Sequence, residues 1–276
     1  MITLCTVLLG NLEDAFSIML DSVSQKMKLV TEIIAVRVDT EEASEQHLDI
    51  NGIHVRRYNC PLSVIYGHAL GLHECIRLAS QDYLMFCDPD IFFYSDVDKL
   101  YMDMFEKYNL NIAGISHHAA TNQSYTFFPC VMNCLVRKSQ LPGEDWLKEY
   151  LKIRPSVLNH TAMTGQEEDE SNYVPAPGKY LLVGHIPQLV SQFPNKNPGC
   201  NWDVGCNLWL WAHRQSWNWL SFQTLDCHNY DTKYHRSNLG KLNLPRQKLL
   251  YHCTSSSLKS DHNCFRAKYE ESLQND

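Results

Sequence analysis

Short apolar segments alternate with amphipathic segments over about the first 120 residues, and this alternation limits the chain to few folds. Ile2 to Leu9 is a largely apolar segment, typical of a strand that is buried on both faces. Asn11 then offers an N-cap to a helix in which apolar residues recur three and four positions apart between Leu12 and Val23. Strands that alternate with helices are typical of domains with a largely parallel sheet. The predicted fold class is therefore α/β.

Further predicted elements continue this pattern before the chain becomes less regular. The polar stretch 41–51 predicts a loop or a short helix, and Ser63–Ala79 predicts a helix. After Ser139 we expect a helix near 143–153 and then a long polar segment at 155–177. The remaining predicted strands are Ile33–Val38, Ile53–Tyr58, Tyr83–Cys87, Ile112–Ser116, Val131–Arg137 and Leu249–His252.

Composition excludes several classes of protein. The chain has 276 residues, of which 44% are hydrophobic and 20% charged, so it can bury a substantial core and is not disordered. The formal charge of −7 does not favour nucleic acid as a partner, although residues 228–268 hold eight Lys and Arg against two Asp and Glu. Eleven cysteines without any CxxC pair indicate reduced, buried thiols.

The first residues predict no membrane anchor. Met1 to Gly10 is apolar, but it is too short to span a bilayer and has no basic flank. We therefore expect a soluble, cytoplasmic protein with no stable attachment to a membrane.

Two carboxylates directly follow the most apolar predicted strand, Tyr83–Cys87. Ligands of open α/β sheets collect outside the carboxyl ends of strands, which is where Asp88-Pro89-Asp90 stands. Two carboxylates one residue apart can hold a hard divalent cation, and the cation can clamp the diphosphate of a nucleotide. The alternative is a simple turn, because Asp and Pro are common turn residues.

Sequence order around this tripeptide carries a family resemblance. The segments are Glu32–Asp39, a strand, His68–Leu72 within a helix, and Gln81–Asp90. Their order and spacing over about 90 residues resemble the nucleotide-binding half of a GT-A glycosyltransferase of the family 2 type. The resemblance implies a Rossmann-like GT-A fold with a mainly parallel central sheet and flanking helices. It also implies a nucleotide-sugar-binding half at 1–120 and a less regular acceptor-side half at 121–276, within one continuous domain.

Site residues follow from the same resemblance, position by position. DxD in this family holds the metal, so Asp88 and Asp90 become metal ligands. The carry-over also implies contacts with the nucleotide sugar, from Leu9, Gly10, Asp39, His68 and Asp88. Two positions depart from the family pattern, since Arg37-Val38-Asp39 stands in place of paired acidic residues and His68 in place of an arginine.

Three later residues acquire roles from similarity to other GT-A enzymes. Asp203, at a predicted helix start, resembles the carboxylate that deprotonates the acceptor hydroxyl, although an N-cap explains it equally well. His252 ends an apolar strand and is the candidate third metal ligand. Lys259 can neutralise charge on the leaving group, or it is an ordinary surface lysine. The other candidate bases are Glu167, Asp169 and Asp226.

Five of the six tryptophans fall between Trp202 and Trp219, and this cluster has two interpretations. Trp209, Trp211, Trp217 and Trp219 can form the core of the second half, because aromatic residues supply much of any core. Alternatively, one or two of them line the acceptor site together with Trp202 and stack on a sugar or base.

The sequence thus predicts a glycosyltransferase, of a hexosyltransferase-like kind, that depends on Mn²⁺ or Mg²⁺ and inverts the anomeric carbon. The expected donor is a nucleoside diphosphate sugar, with a UDP-sugar favoured. The acceptor hydroxyl belongs to a glycan, a small molecule, a protein or a modified nucleic-acid base. The alternatives are a nucleotide-sugar-binding protein without turnover and a nucleotidyltransferase, which releases pyrophosphate.

Overall fold

Helices and strands alternate along the N-terminal half of the computed structural model, which describes residues 1–10, 12–38, 40–61, 67–116, 128–141, 208, 211–212, 215–223, 228–253 and 259–274. The helices are α1 (Glu13–Lys26), α2 (Gly67–Leu78), α3 (Val97–Tyr108) and α4 (Lys259–Leu273). The strands are β1 (Ile2–Leu8), β2 (Val30–Arg37), β3 (Ser44–Ile50), β4 (Ile53–Asn59), β5 (Tyr83–Cys87), β6 (Ile91–Phe93), β7 (Ile112–Ile115), β8 (Asn133–Arg137), β9 (Trp219–Phe222), β10 (Asn229–Asp231), β11 (His235–Ser237) and β12 (Lys248–His252).

A nine-stranded sheet forms the centre of the molecule, in the order β11-β9-β7-β8-β5-β1-β2-β4-β3. Strands β5, β1, β2 and β4 are parallel neighbours, and β7 pairs with β9 in parallel. Strands β3, β8 and β11 are antiparallel to their neighbours. The predicted α/β class with a mainly parallel central sheet is therefore confirmed.

A second sheet of three strands, in the order β10-β12-β6, lies beside the first. Strand β12 pairs antiparallel with β6, and the register places His252 opposite Ile91. Because β6 begins just after Asp90, this pairing brings a late segment of the chain to the end of β5.

Buried side chains cover both faces of the large sheet, which explains the apolar run of β1. On one face Ile2, Leu4 and Leu8 pack with residues of α1 and α3. On the other face Cys5 and Val7 pack with residues of α2. A strand between two helical layers has no solvent-facing side, so every residue of β1 is buried and only Thr3 and Thr6 carry polar side chains.

Charged residues at the ends of α1 and a glycine in α2 suit these two helices to their places in the fold. Acidic Glu13 and Asp14 lie in the first turn of α1 and Lys26 lies in its last turn, which complements the helix dipole. In α2, Gly71 allows close packing on β1, because a Cβ atom there would lie 2.7 Å from Cγ1 of Val7. Helix α2 therefore lies closer to β1 than a larger residue would permit.

One element prediction was wrong, and the error has a physical cause. Residues 44–50 form β3, an edge strand antiparallel to β4, where a loop or short helix was expected for 41–51. Its side chains are almost all exposed, so the segment lacks the apolar pattern of a strand. The available signal was Asn51-Gly52, a dipeptide typical of two-residue hairpins, whose φ angles of 53° and 82° suit such a turn.

Other element predictions agree with the structure to within a few residues. Strands β1, β4, β5, β7, β8 and β12 and helices α1 and α2 correspond to predicted elements, and β2 begins three residues earlier than expected. Helices α3 and α4 and strands β6 and β9–β11 have no predicted counterpart. The N-cap position of α1 is Leu12, one residue after the predicted Asn11, and it makes no capping hydrogen bond through its side chain. The helix expected near 143–153 and the segment 155–177 lie outside the described residues, as does Asn11.

Tryptophans and cysteines of the described ranges lie mainly in the interior. Trp217 is buried, and Trp211 and Trp219 pack against the same core cluster, which supports the core interpretation for these three. Trp202 and Trp209 lie outside the described residues. The cysteines within the described ranges are free, and all of these except Cys264 are buried, as predicted. Within the same ranges, no helix combines the length and the apolar character needed to cross a membrane.

Candidate functional site

The tripeptide Asp88-Pro89-Asp90 connects the two sheets and is fixed at both ends by the backbone. The amide of Asp88 donates a hydrogen bond to the carbonyl of Met132 at 2.7 Å. The carbonyl of Asp90 accepts a hydrogen bond from the amide of Cys253 at 3.0 Å. Both carboxylates are thus held at the carboxyl end of β5, where the sequence placed them.

His252 reaches the same point from the end of β12. Its Nε2 lies 3.7 Å from Oδ2 of Asp88 and 3.5 Å from Oδ1 of Asp90. The side chains of His252 and Asp90 are only 6% and 8% exposed. The β6–β12 pairing therefore converts residues far apart in sequence into one cluster.

His68 approaches the cluster from helix α2. Its Nε2 lies 3.4 Å from Oδ1 of Asp88, so two imidazoles flank the two oxygens of this carboxylate. The side chains of His68 and Asp88 are 22% and 17% exposed. His68 therefore approaches Asp88 from the helix that packs on β1 through Gly71.

Geometry at this cluster fits a divalent cation. One ligand atom each from Asp88, Asp90 and His252 lies within 4.8 Å of the other two. Oδ1 of Asp88 is buried and accepts no hydrogen bond from the residues that the structure describes. Buried carboxylate oxygens are costly without a hydrogen bond or a cation, and oxygen and imidazole nitrogen together suit Mn²⁺ or a similar ion.

Two buried thiols, those of Cys87 and Cys134, lie near the charge of Asp88. Burial is the main reason why the pKa of Cys87 lies well above the ordinary thiol value, and the neighbouring charge of Asp88 adds to this shift. Burial likewise raises the pKa of Cys134 above its ordinary value. Among the described residues, the group whose ligand atoms lie close enough to share one ion consists of two carboxylates and one imidazole.

A second polar cluster lies at the ends of β1 and β2, and sequence reasoning missed it. Glu13 at the start of α1 pairs with Arg37 at 2.5 Å and with Arg57 of β4 at 2.6 Å. The Arg37 guanidinium also donates a hydrogen bond to the carbonyl oxygen of Gly10, at 3.5 Å. Arg57 lies over the Phe16 ring, 5.6 Å from its centroid. The sequence signal was weak, because these residues come from separate elements and follow no local pattern.

The remaining predicted site residues are placed as follows. Leu9 and Gly10 follow β1, with Leu9 partly buried against the core and Gly10 exposed at a φ of 58°. Lys259 is the first residue of α4. The predicted residues that lie outside the described part of the chain are Asp39, Asp203, Glu167, Asp169 and Asp226.

Comparison with known proteins gives a partial structural likeness. The sequence matches no protein-family model and no curated protein. Residues 1–349 of S. aureus TarS in complex with UDP are 12% identical, with a TM-score of 0.38, over 59% of this chain and 51% of TarS. The complex of TarS with UDP-GlcNAc gives 13% identity and a TM-score of 0.37 over 51% of this chain and 46% of TarS.

A third structure of S. aureus TarS residues 1–349 overlaps slightly more of the chain. It is 12% identical, with a TM-score of 0.38, over 65% of this chain and 55% of TarS. The chain therefore spans about half the length of the TarS structures that it resembles. A likeness of this size concerns the arrangement of strands and helices alone.

Proposed function

We propose that the chain is a metal-dependent glycosyltransferase of the GT-A type, which moves a sugar from a nucleoside diphosphate sugar to an acceptor hydroxyl. The observation that carries the proposal is the meeting of Asp88, Asp90 and His252 at the carboxyl end of β5. The sequence resemblance to GT-A enzymes of the family 2 type, which extends beyond this tripeptide to Glu32–Asp39 and His68–Leu72, supports it further.

The proposed ligands of Mn²⁺ or Mg²⁺ are Asp88, Asp90 and His252. A bound cation of this kind neutralises the charge that develops on a diphosphate leaving group. Asp88 and Asp90 supply the negative charge that attracts the cation, and the β6–β12 pairing holds His252 beside them. This preorganisation reduces the rearrangement needed on binding.

The proposed donor is a UDP-sugar, bound by the N-terminal half at 1–120. Leu9 and Gly10, at the exposed end of β1, together with Asp39 contact the nucleotide in this proposal. His68 lies beside Asp88 and faces the donor from α2. Lys259 is proposed to offset charge on the departing diphosphate.

The proposed acceptor side comprises residues 121–276, with Asp203 as general base. Asp203 takes the proton of the acceptor hydroxyl while the hydroxyl oxygen forms a bond to the anomeric carbon. The bond between that carbon and the diphosphate oxygen breaks, and the nucleoside diphosphate leaves. Attack from the opposite side inverts the anomeric centre. The acceptor hydroxyl belongs to a glycan, a small molecule, a protein or a modified base.

The experiment that tests the proposal measures release of nucleoside diphosphate from UDP- and GDP-sugars, with Mn²⁺, with Mg²⁺ and with EDTA. UDP-GlcNAc serves as the first probe. Wild type is compared with Asp90→Asn and with Asp103→Asn, whose exposed carboxylate pairs with Lys99 on the surface of α3. We expect release that needs the cation, is lost in Asp90→Asn and is unchanged in Asp103→Asn.

Other outcomes contradict separate parts of the proposal. Metal-independent release at the wild-type rate in Asp90→Asn contradicts the metal role. Donor binding without release, across a panel of acceptors, indicates a binding protein, and pyrophosphate release from a nucleoside triphosphate indicates a nucleotidyltransferase. A product with retained anomeric configuration contradicts Asp203 as a simple general base.

A further inference from the structure

Two imidazoles lie side by side on the exposed hairpin β3–β4, away from the cluster described above. In the antiparallel register His47 is opposite Arg56 and His54 is opposite Asp49, so both histidines project from the same face of the hairpin. Nδ1 of His47 lies 3.3 Å from Nε2 of His54, and the ring centroids are 5.3 Å apart. Two nitrogen lone pairs can therefore point at one position.

The distance between these nitrogens fits a shared tetrahedral ion. Two nitrogens that each bind Zn²⁺ at about 2.0–2.1 Å lie about 3.3–3.4 Å apart when the geometry is tetrahedral. The observed separation of 3.3 Å matches this value. The same distance also fits a direct hydrogen bond between the two rings. An ion can replace this hydrogen bond without any large movement of either side chain.

Glu45 stands behind one imidazole, as a carboxylate does in many metal sites. Its Oε1 lies 3.4 Å from Nε2 of His47, on the side of the ring away from His54. Arg56 fixes this carboxylate, with Nε at 2.8 Å and Nη2 at 2.7 Å from Oε1. A carboxylate in this position favours the proton on Nε2 and so leaves the Nδ1 lone pair of His47 available for a metal.

The backbone under the two imidazoles is rigid, and solvent reaches them freely. Strand β3 pairs with β4 along its whole length, and the Asn51-Gly52 turn closes the hairpin. The His47 side chain is 54% exposed. The ligands are thus preorganised, and an ion can enter without local unfolding.

We propose that Nδ1 of His47 and Nε2 of His54 form a surface site for a borderline-soft divalent ion of the Zn²⁺ class, with water completing the coordination. Imidazole nitrogen favours Zn²⁺, Ni²⁺ and Cu²⁺, whereas Mg²⁺ prefers oxygen ligands. The bound ion ties the outermost strand of the sheet to its neighbour. This site is independent of the proposed transferase activity.

The test is Zn²⁺ binding to the full chain by isothermal titration calorimetry, in an Asp90→Asn background that removes a ligand of the other cluster. The variants are His47→Gln, His54→Gln and the double variant, with Glu45→Gln for the supporting carboxylate. His235→Gln is the matched control, because His235 lies on edge strand β11 with both ring nitrogens already facing Thr232 and Leu242. Thermal unfolding with and without Zn²⁺ gives a second readout.

If the two imidazoles chelate one ion, either single substitution removes most of the binding and the double variant loses no more. We expect Glu45→Gln to weaken affinity about 10-fold to 100-fold, the range for loss of an outer carboxylate. We also expect Zn²⁺ to raise the unfolding temperature of the background protein and of His235→Gln, but not of His47→Gln. The proposal is overturned if the background protein does not bind Zn²⁺, if the single substitutions leave binding unchanged, or if their losses add as for two separate sites.

Discussion

Two groups of charged residues lie near the carboxyl ends of the central parallel strands, and they are neutralised in opposite ways. Glu13 is in contact with two guanidinium groups, those of Arg37 and Arg57. No lysine or arginine in the described part of the chain lies within ion-pair distance of Asp88 or Asp90, and the basic side chains beside them are the imidazoles of His68 and His252. Among the described residues, the more exposed carboxylate of Glu13 is therefore paired with two guanidinium cations, whereas the carboxylates of Asp88 and Asp90 are paired with imidazoles alone.

From this difference we infer that Glu13 forms a structural ion pair, whereas Asp88 and Asp90 form the proposed cation site. Glu13 joins α1 to β2 and β4, and its charge is balanced within the protein. Asp88 and Asp90 hold two negative charges close together with little solvent around Asp90, which is unfavourable without a cation. In the proposed function, a divalent cation supplies the positive charge that the described lysines and arginines do not.

The largest expected effect concerns the affinity for a cation at the Asp88–Asp90–His252 cluster. Asp90→Asn removes one ligand and one negative charge, so we expect Mn²⁺ affinity to fall more than 100-fold, beyond the range for loss of an outer-sphere partner. Without metal, the same variant should unfold at an equal or higher temperature than wild type, because it relieves repulsion with Asp88. Titration followed by Mn²⁺ electron paramagnetic resonance measures the affinity. Tight Mn²⁺ binding in Asp90→Asn would show that Asp90 is not a metal ligand and would contradict the proposed difference from Glu13.

Gly71→Ala tests whether the close contact between α2 and β1 contributes to the stability of the half of the sheet that carries Asp88. The added Cβ would lie 2.7 Å and 2.8 Å from the two methyl groups of Val7, which is buried. Overpacking of this kind costs about 2 kcal/mol of stability. Urea unfolding measures the loss, and the double variant Val7→Ala/Gly71→Ala is the control, since it restores space. The single variant Val7→Ala is measured as well. If the losses of stability in Val7→Ala and Gly71→Ala add in the double variant, close contact with Val7 is not the cause.

A pH dependence of stability comes from His73 on the same helix. Burial lowers the pKa of His73 to about 4 from its ordinary value of 6.5, so the folded protein holds this imidazole neutral. The unfolded chain takes up the proton first as the pH falls below 6.5, and stability is lost from there down to about pH 4. At pH 5 we expect a loss of about 2 kcal/mol relative to pH 7.5.

His73→Gln separates this effect from protonation at the cluster. The variant should lose the part of the pH dependence that belongs to His73, as measured by urea unfolding at pH 7.5 and pH 5. If wild type and His73→Gln lose the same stability over this interval, other groups cause the dependence. The comparison also defines the pH range in which metal titrations reflect the site and not global stability.

Local patterns predicted the parts of the site that lie on apolar strands. Tyr83–Cys87 was identified by its uninterrupted hydrophobic run, and the position of Asp88 and Asp90 followed from the end of that strand. His252 was identified at the end of a late apolar strand. The β6–β12 register that joins these residues could not be predicted, because strand pairing across such a distance leaves no local pattern.

The polar parts of the fold were harder to predict for a related reason. Strand β3 is held by pairing with β4 and not by burial, so its exposed residues give no hydrophobic signal. The contacts of Glu13 with Arg37 and Arg57 depend on how α1 lies over the sheet. In the sequence, these residues look like ordinary surface charges.

The smallest expected effect is on stability, from substitution of Glu13 in its ion pairs with Arg37 and Arg57. Glu13→Gln keeps the size of the side chain but removes the charge that Arg37 and Arg57 share. All three side chains are partly exposed, so solvent screens the interaction and we expect a loss of about 1 kcal/mol in the free energy of unfolding. Mn²⁺ affinity should stay within twofold of wild type, since Glu13 lies outside the proposed ligand set.

The change in unfolding free energy of the metal-free protein shows whether the Glu13 and Asp90 groups differ in this way. Glu13→Gln should destabilise the metal-free protein, whereas Asp90→Asn should leave it unchanged or stabilise it. Both are measured by urea unfolding in EDTA at pH 7.5, and raised salt should reduce the effect of Glu13→Gln, because ions screen exposed pairs. Destabilisation by both substitutions to a similar degree would mean that Asp90, like Glu13, is already stabilised by the protein itself. The case for an external cation would then lose its electrostatic basis.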